Sequence, residues 1–256
     1  MGYSANLGFL YTELDFPERI RAAKAAGFAA VECHFPYDTP AEEVATVLAE
    51  TGLEMLGLNT VPGNVTAGDF GLAALPGREA EARAAIAQAV AYGAAIGAAN
   101  VHVMAGKTDG GHAAEATFRG NLAHACDLAA AEGMCVLIEP INHRDVPGYH
   151  LSRVEHGAAI IGALGRENLR LMFDCYHSQI MQGDLITRIR DQLGLIGHIQ
   201  IAAVPSRAEP DEGEVDFIWL AGAIRDLGYA APIGAEYRPR TGRTGDGLGW
   251  LAAFPD

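Results

Sequence analysis

Short apolar runs alternate with longer, alanine-rich amphipathic segments along the whole chain. An apolar run such as Cys135–Ile138 suits a strand that is buried on both faces, as strands of a parallel sheet are. The runs predict eight strands, at 3–9, 29–33, 54–58, 100–104, 134–139, 169–174, 196–201 and 232–237. The amphipathic segments predict helices at 16–26, 40–51, 79–96, 114–132, 153–164, 179–192, 215–227 and 245–253.

Eight strand and helix pairs in strict alternation indicate an α/β fold with a parallel sheet. Most of the predicted helices are followed by a glycine, which is the usual residue at a helix C-terminus. The length of 256 residues is close to the roughly 250 residues of a (β/α)8 barrel, or TIM barrel. No linker-like segment divides the chain, so we expect one barrel domain over residues 1–256.

Composition and net charge limit the kinds of partner that the chain is expected to bind. The formal charge is −14, with 32 acidic and 18 basic residues, which argues against a nucleic-acid partner held by phosphate neutralisation. No apolar run approaches the roughly 20 residues that span a bilayer, so we expect no membrane association. The four cysteines are scattered and the first residues do not resemble a signal peptide, so we expect reduced thiols and a cytoplasmic location.

Oxygen-bearing side chains stand at the ends of four consecutive predicted strands: Glu139, Asp174, Gln200 and Glu236. Active sites of TIM barrels lie at the C-terminal ends of the strands, so these side chains are expected to meet at the barrel mouth. Three crowded carboxylates repel one another, and a divalent cation is the natural neutralising group. A set of oxygen ligands favours Mg²⁺ or Mn²⁺. Each residue alone could equally be a helix cap or an ion-pair partner.

Other polar residues follow the predicted strands and are candidates for substrate binding. Lys107, Arg207 and Arg238 follow strands four, seven and eight, where a carboxylate or polyhydroxy substrate would need cations. His177 follows strand six and could contact substrate or orient a metal ligand. Asn59 follows strand three, at the start of a long irregular segment at 59–76 that we expect to be a packed lid.

Arg207 and two histidines within strands could have a structural role instead of a role in substrate binding. Arg207 could instead form an ion pair with Glu209 or Glu212. His102 and His198 alternate with apolar residues within strands, and they are expected to fill the barrel interior rather than to act on substrate.

Two glutamates facing each other across a metal suit proton transfer at a carbon next to a carbonyl. One carboxylate removes the proton, the metal stabilises the enediolate oxygens, and the second carboxylate returns a proton to the neighbouring carbon. This chemistry needs no organic cofactor. The sequence also lacks the glycine-rich dinucleotide fingerprint, the Walker motif and the GxSxG elbow.

Several segments resemble the hydroxypyruvate isomerase family, whose barrels are related to xylose isomerase. They are YSANLGFLYTELDF near the start, FPYD at 35–38, LPGRE at 75–79, AGKT at 105–108, IEPINHRDVPGYHL at 138–151, FDCYHSQIMQGDL at 173–185, IGHIQIA at 196–202 and EYRP at 236–239. The resemblance implies interconversion of hydroxypyruvate and 2-hydroxy-3-oxopropanoate, a step of glyoxylate and carbohydrate metabolism. It implies Glu139 and Glu236 as the acid and base, and Glu139, Asp174, Gln200 and Glu236 as metal ligands.

The loops after strands three and seven depart from the family pattern, so the substrate stays open among small sugar acids. An isomerase of 2-oxo-tetronate is the alternative within the same chemistry. A phosphodiesterase of the endonuclease IV type is a second alternative, and a barrel that only binds a sugar acid is a third. A homo-oligomer is compatible with each of them.

Overall fold

Parallel strands form the centre of the molecule in the computed structural model, which describes residues 2–254. Within those residues the strands are β1 (Tyr3–Asn6), β2 (Ala30–Glu32), β3 (Glu54–Met55), β4 (Leu58–Asn59), β5 (Asn100–His102), β6 (Cys135–Ile138), β7 (Leu169–Asp174), β8 (Ile196–Ile201) and β9 (Ile233–Ala235). Their order in the sheet is β3, β2, β1, β9, β8, β7, β6, β5, β4, and every neighbouring pair is parallel.

The sheet closes on itself through the third predicted strand. That strand is present as two pieces, since β3 pairs with β2 and β4 pairs with β5. Between them the amide of Leu56 donates to the carbonyl of Val31, and Gly57 accepts from the amide of Cys33. The chain itself therefore joins the two ends of the sheet order, and the fold is the predicted (β/α)8 barrel.

Helices follow the strands and cover the barrel. They are α1 (Phe16–Ala25), α2 (Ala41–Thr51), α3 (Glu79–Ile96), α4 (His112–Ala131), α5 (Val154–Leu164), α6 (Cys175–Met181), α7 (Leu185–Gln192), α8 (Phe217–Asp226) and α9 (Gly249–Ala253). None of the helices within residues 2–254 is long and apolar enough to cross a membrane.

Two predicted helices differ from the structure. The helix predicted at 179–192 is divided into α6 and α7, because Gly183 and Asp184 both adopt left-handed backbone conformations, with φ of 64° and 52°. The last predicted helix begins as a 3₁₀ turn at Thr244–Gly247 and continues as α9. In α9, Trp250 packs edge-on against Tyr3 at 5.2 Å and donates a hydrogen bond to the hydroxyl of Tyr237, which joins the first and last strands.

The two faces of the strands differ in chemistry. Leu171 and Phe173 of β7 belong to the apolar core. Their neighbours Met172 and Asp174 pair in register with His198 and Gln200 of β8. The interior of the barrel is correspondingly polar, with a cavity of about 20 Å³ lined by side chains that include Asn6, Glu32, His102, Met172, His198 and Gln200.

The segment at 59–76 is packed onto the barrel, as predicted for a lid. The amides of Leu72 and Ala73 donate to the carbonyl of Met104, and Gly71 forms an antiparallel bridge with Ala105. Leu72, Ala73 and Ala74 are buried, whereas Val65 at the tip is 62% exposed. Both ends of the segment are therefore anchored, and its tip lies at the rim of the barrel mouth.

Candidate active site

A cavity of about 630 Å³ opens at the C-terminal ends of the strands. Glu139 follows β6 directly, Asp174 is the last residue of β7, and Glu236 follows β9. These three carboxylates and His177 in the first turn of α6 each offer one ligand atom, and the four atoms lie within 4.8 Å of one another. The structure thus brings together acidic residues that are almost 100 positions apart in the chain.

Gln200 lies beside this cluster, in register with Asp174 on the neighbouring strand. Its side-chain nitrogen donates to Glu32 Oε1 at 3.0 Å, in the layer of the barrel below. Glu32 is itself buried against His198 and also accepts from Asn6 Nδ2 at 3.2 Å. Because Glu32 fixes the amide nitrogen of Gln200, the amide oxygen is the atom of that side chain left for a ligand.

Arg207 is the cation of the cluster. Its guanidinium donates to Glu236 Oε2 at 2.7 Å and lies 3.8 Å from Asp174 Oδ2. It also stacks over the rings of Phe9 and Tyr176, at 5.1 and 5.0 Å. Despite its burial, the charges of Glu236 and Asp174 raise the pKa of Arg207, so this side chain stays protonated.

The alternative ion pair of Arg207 with Glu209 or Glu212 is wrong. Both glutamates pair instead with Arg240, at 3.0 Å for Glu209 and 2.7 Å for Glu212. Arg207 has a left-handed backbone conformation, with φ of 55°, and its side chain lines the cavity instead of reaching these glutamates.

Two neutral histidines face the carboxylates. Burial lowers the pKa of both His102 and His177 to about 3. His177 Nδ1 accepts from the backbone amide of Asn142 at 3.3 Å, so the proton of the neutral ring is on Nε2. That N–H faces Glu139 Oε1 at 3.7 Å and Asp174 Oδ2 at 3.6 Å. At these distances the N–H makes no hydrogen bond to either carboxylate, and in this tautomer Nε2 has no free lone pair for a metal ion.

The carboxylates differ in their affinity for protons. Burial, followed by the charges of Glu236 and Asp174, raises the pKa of Glu139 well above its usual range. Burial and the charge of Glu236 likewise raise the pKa of Asp174 to about 7. Burial also opposes ionisation of Glu236, but the charge of Arg207 and the hydrogen bond from His34 outweigh it and lower the pKa of Glu236. The cluster therefore holds one firmly ionised glutamate and one that favours protonation.

The donor set fits a hard divalent cation. Three buried oxygens of this cluster have no hydrogen-bond partner among the described residues, namely Glu139 Oε1, Asp174 Oδ2 and Gln200 Oε1. Leaving buried acceptors unpaired is costly, and oxygen atoms from carboxylates and amides are the ligands that Mg²⁺ and Mn²⁺ prefer. Together with Glu236, these groups could hold a metal ion.

The remaining predicted residues lie in different places. Asn59 lines the cavity, and its side-chain oxygen lies 3.3 Å from His102 Nδ1. Arg238 also lines the cavity, with its guanidinium over the ring of Phe9 at 5.2 Å. Lys107 does not line it; its ammonium group donates to the carbonyl of Gly68 in the 59–76 segment.

Two residues that contact Glu236 were not among the sequence predictions. His34 Nε2 lies 2.8 Å from Glu236 Oε1, and Asn6 Nδ2 donates to the same oxygen at 3.2 Å. Both stand at the C-terminal end of a strand, Asn6 on β1 and His34 just after β2. The strand-end rule that selected Glu139 and Asp174 would have found His34, which directly follows the predicted strand at 29–33. It would not have found Asn6, which lies inside the predicted strand at 3–9 and ends the strand only in the structure.

Comparisons with known proteins found relatives that match nearly the whole chain. The family model described as a xylose isomerase-like TIM barrel matches residues 20–254. The 2-oxo-tetronate isomerase of Cupriavidus necator is 48% identical over 255 residues, and the hydroxypyruvate isomerase of Escherichia coli is 40% identical over 255 residues; each alignment spans 98% of both chains. A crystal structure described as AP endonuclease, family 2, from Brucella melitensis is 40% identical, with a TM-score of 0.94 and full coverage of both chains.

Proposed function

This chain belongs to the xylose isomerase-like TIM barrels and is an isomerase, and we propose that it acts on short hydroxy-oxo acids by proton transfer between two glutamates. The observation that carries the proposal is geometric: Glu139 and Glu236 line one cavity and belong to a cluster whose ligand atoms lie within 4.8 Å of one another. In the metal-free protein the pKa values of the two carboxyl groups are also shifted in opposite directions. Pairs of titratable groups whose environments separate their pKa values are typical of acid and base assignments.

Glu236 is the base in this proposal and Glu139 is the acid. The ionised Glu236 takes the proton from the hydroxyl-bearing carbon of the substrate, and the protonated Glu139 gives a proton to the adjacent carbonyl carbon. The hydroxyl proton moves to the neighbouring oxygen, so that ketone and aldehyde exchange places. Glu236 then releases the proton it has taken and Glu139 takes one up, both by exchange with solvent, so that each group returns to its starting state. His34, Asn6 and Arg207 hold the charge of Glu236 in place between turnovers.

Arg238 and Arg207 receive the substrate carboxylate in this proposal. Arg207 already balances Glu236, whereas Arg238 is exposed at the cavity rim and has no carboxylate within 4.0 Å among the described residues. Both guanidiniums stack on Phe9, which fixes their planes. A planar guanidinium binds a carboxylate with two parallel hydrogen bonds, so Arg238 would orient the acid end of the substrate.

A divalent cation, Mg²⁺ or Mn²⁺, would be held by Glu139, Asp174, Gln200 and Glu236. When bound, it supplies positive charge beside the oxygen atoms that become negative during the reaction. The unpaired oxygens of the first three residues support this assignment.

Two substrates fit the proposal. Hydroxypyruvate, interconverted with 2-hydroxy-3-oxopropanoate, is the substrate implied by the sequence motifs. The four-carbon acid 2-oxo-tetronate is favoured by one further observation, the 48% identity to an enzyme of that name. The cavity of about 630 Å³ is ample for either acid. Initial rates of the purified protein with both acids, measured side by side, decide between them.

The test of the mechanism is Glu139→Gln and Glu236→Gln. Each variant should lose turnover by about 10² to 10⁴-fold, which is the usual contribution of an acid or base. Glu209→Gln is the matched control, because Glu209 is a buried carboxylate that pairs with Arg240 outside the cavity. Turnover near that of the unmodified protein in either test variant would refute the assignment. EDTA should abolish activity, and added Mg²⁺ or Mn²⁺ should restore it.

The two rival functions predict different experimental results. A phosphodiesterase would cleave abasic DNA, which the charge of −14 and the short-acid proposal do not predict. A barrel that only binds a sugar acid would show no turnover with either substrate, and Glu236→Gln would retain the ligand.

A further inference from the structure

A second cluster of side chains that could hold a metal ion lies outside the active-site cavity. Glu115 is in the first turn of α4, His150 is in the segment between β6 and α5, and His156 is in the first turn of α5. Each residue offers one ligand atom, and the three atoms lie within 4.8 Å of one another. None of the three lines the active-site cavity.

The two imidazole rings converge on one carboxylate oxygen. His150 Nε2 lies 3.1 Å and His156 Nε2 lies 3.0 Å from Glu115 Oε2. The other oxygen of Glu115 accepts a hydrogen bond from Arg119 Nε at 2.7 Å, one turn further along α4. Arg119 therefore fixes the rotation of the carboxylate and leaves Oε2 directed at the two rings.

The surroundings hold His150 rigidly in a form that can bind a metal. Its side chain is only 1% exposed and packs edge-on against Phe118, with ring centroids 5.5 Å apart. Its Nδ1 lies 2.9 Å from Thr108 Oγ1, so the Nε2 atom is the one that faces the cluster. A hydrogen bond at the second ring nitrogen is the usual way in which proteins orient a histidine ligand.

We propose that Glu115, His150 and His156 form a Zn²⁺ site that is separate from the isomerase cluster. Two imidazole nitrogens and one carboxylate are a ligand set typical of Zn²⁺ with a water in the fourth position. The hard, all-oxygen set at the barrel mouth has different chemistry. The side chain of His156 is 35% exposed and that of Glu115 is 23% exposed, which leaves a path for the ion and room for the water.

A Zn²⁺ ion at this site would connect the segment between β6 and α5 to helices α4 and α5. The segment between β6 and α5 carries Asn142, which contacts His177, and Asp145, which lines the cavity. His150 is on the same segment, while Glu115 and His156 belong to α4 and α5. Zn²⁺ would thus link three elements through one ion, and the folded protein would gain thermal stability from it.

The experiment is a Zn²⁺ titration of the EDTA-treated protein, followed by an indicator dye, with His156→Gln as the first variant. His156 is half-exposed, so its replacement should leave the fold intact, and His150→Gln is the second variant. Each should bind one equivalent of Zn²⁺ fewer than the unmodified protein. His124→Gln, on the same helix as Glu115, is the matched control and should bind the full number. Asp174→Asn should lose binding at the barrel mouth and keep the equivalent held by the histidines.

Anomalous diffraction at the zinc edge gives the position directly. The proposal predicts a peak between Glu115, His150 and His156 in crystals of the unmodified protein grown with Zn²⁺, and none there in His156→Gln. Equal stoichiometry in His156→Gln, His150→Gln and His124→Gln would overturn the site, as would diffraction that shows zinc only at the barrel mouth. Both results are independent of whether the isomerase assay succeeds.

Discussion

Replacing Asp174 by Asn should stabilise the metal-free protein while destroying the site. Asp174 is only 1% exposed, and burial and the charge of Glu236 raise its pKa from the usual 3.8 to about 7. A raised carboxyl pKa means that the folded state resists ionisation. The contribution of this group to stability is therefore full below about pH 4 and is lost as the pH rises to 7. At pH 8 the lost stability corresponds to up to about 4 kcal/mol, and at pH 5 to about 2 kcal/mol.

Asparagine keeps the structural role of this residue. Asp174 Oδ1 caps α6 by accepting from the amide of Tyr176 at 2.7 Å, and Asn is as good a cap as Asp. Asp216 is the matched control, because it caps α8 in the same way but is exposed to solvent. Asp216→Asn should change the free energy of unfolding by less than about 0.5 kcal/mol at either pH.

Urea unfolding of the EDTA-treated proteins at pH 8 and pH 5 measures the effect. Asp174→Asn should be more stable than the unmodified protein at pH 8, with a smaller gain at pH 5. Added Mg²⁺ or Mn²⁺ should stabilise the unmodified protein and leave Asp174→Asn unchanged. If the variant is no more stable at pH 8, or if its gain is the same at both pH values, the argument from charge crowding is refuted.

Three further substitutions test residues that hold the active site, the 59–76 segment and the core in place. Gly8→Ala would place a Cβ 2.1 Å from His34 Nδ1, so the ring must leave Glu236; we expect turnover to fall about tenfold in steady-state assays while the urea midpoint changes little. Gly71→Ala would place a Cβ 2.7 Å from the carbonyl of Met104 at a φ of 111°, which should cost about 1–3 kcal/mol and expose the 59–76 segment to limited proteolysis. Trp250→Ala should cost about 3–5 kcal/mol in urea unfolding, because the ring is buried against Tyr3 and Tyr237.

The sequence predicted some elements to the residue and failed at others for physical reasons. β7 and β8 have the predicted bounds, and β7 ends at Asp174, whose side chain also caps α6. The break between α6 and α7 was missed because it depends on left-handed backbone at both Gly183 and Asp184, and the amphipathic pattern continues across it. The partner of Arg207 was also unpredictable, because Glu209 is close in sequence while Glu236 is close in space.

Asn6 and Gln200 show that the positions of strand ends locate the site but do not explain how its side chains are oriented. Both amides donate to the buried Glu32, and Asn6 reaches Glu236 as well, so the layer below the mouth sets the direction of groups in the mouth. In the sequence Glu32 is one acidic residue at the end of a short apolar run, and nothing local to it shows that it pairs with a histidine 166 positions later. The carboxylates proposed to be catalytic can be identified from where strands end. The orientation of their neighbours depends on contacts across the barrel, which only the closed fold creates.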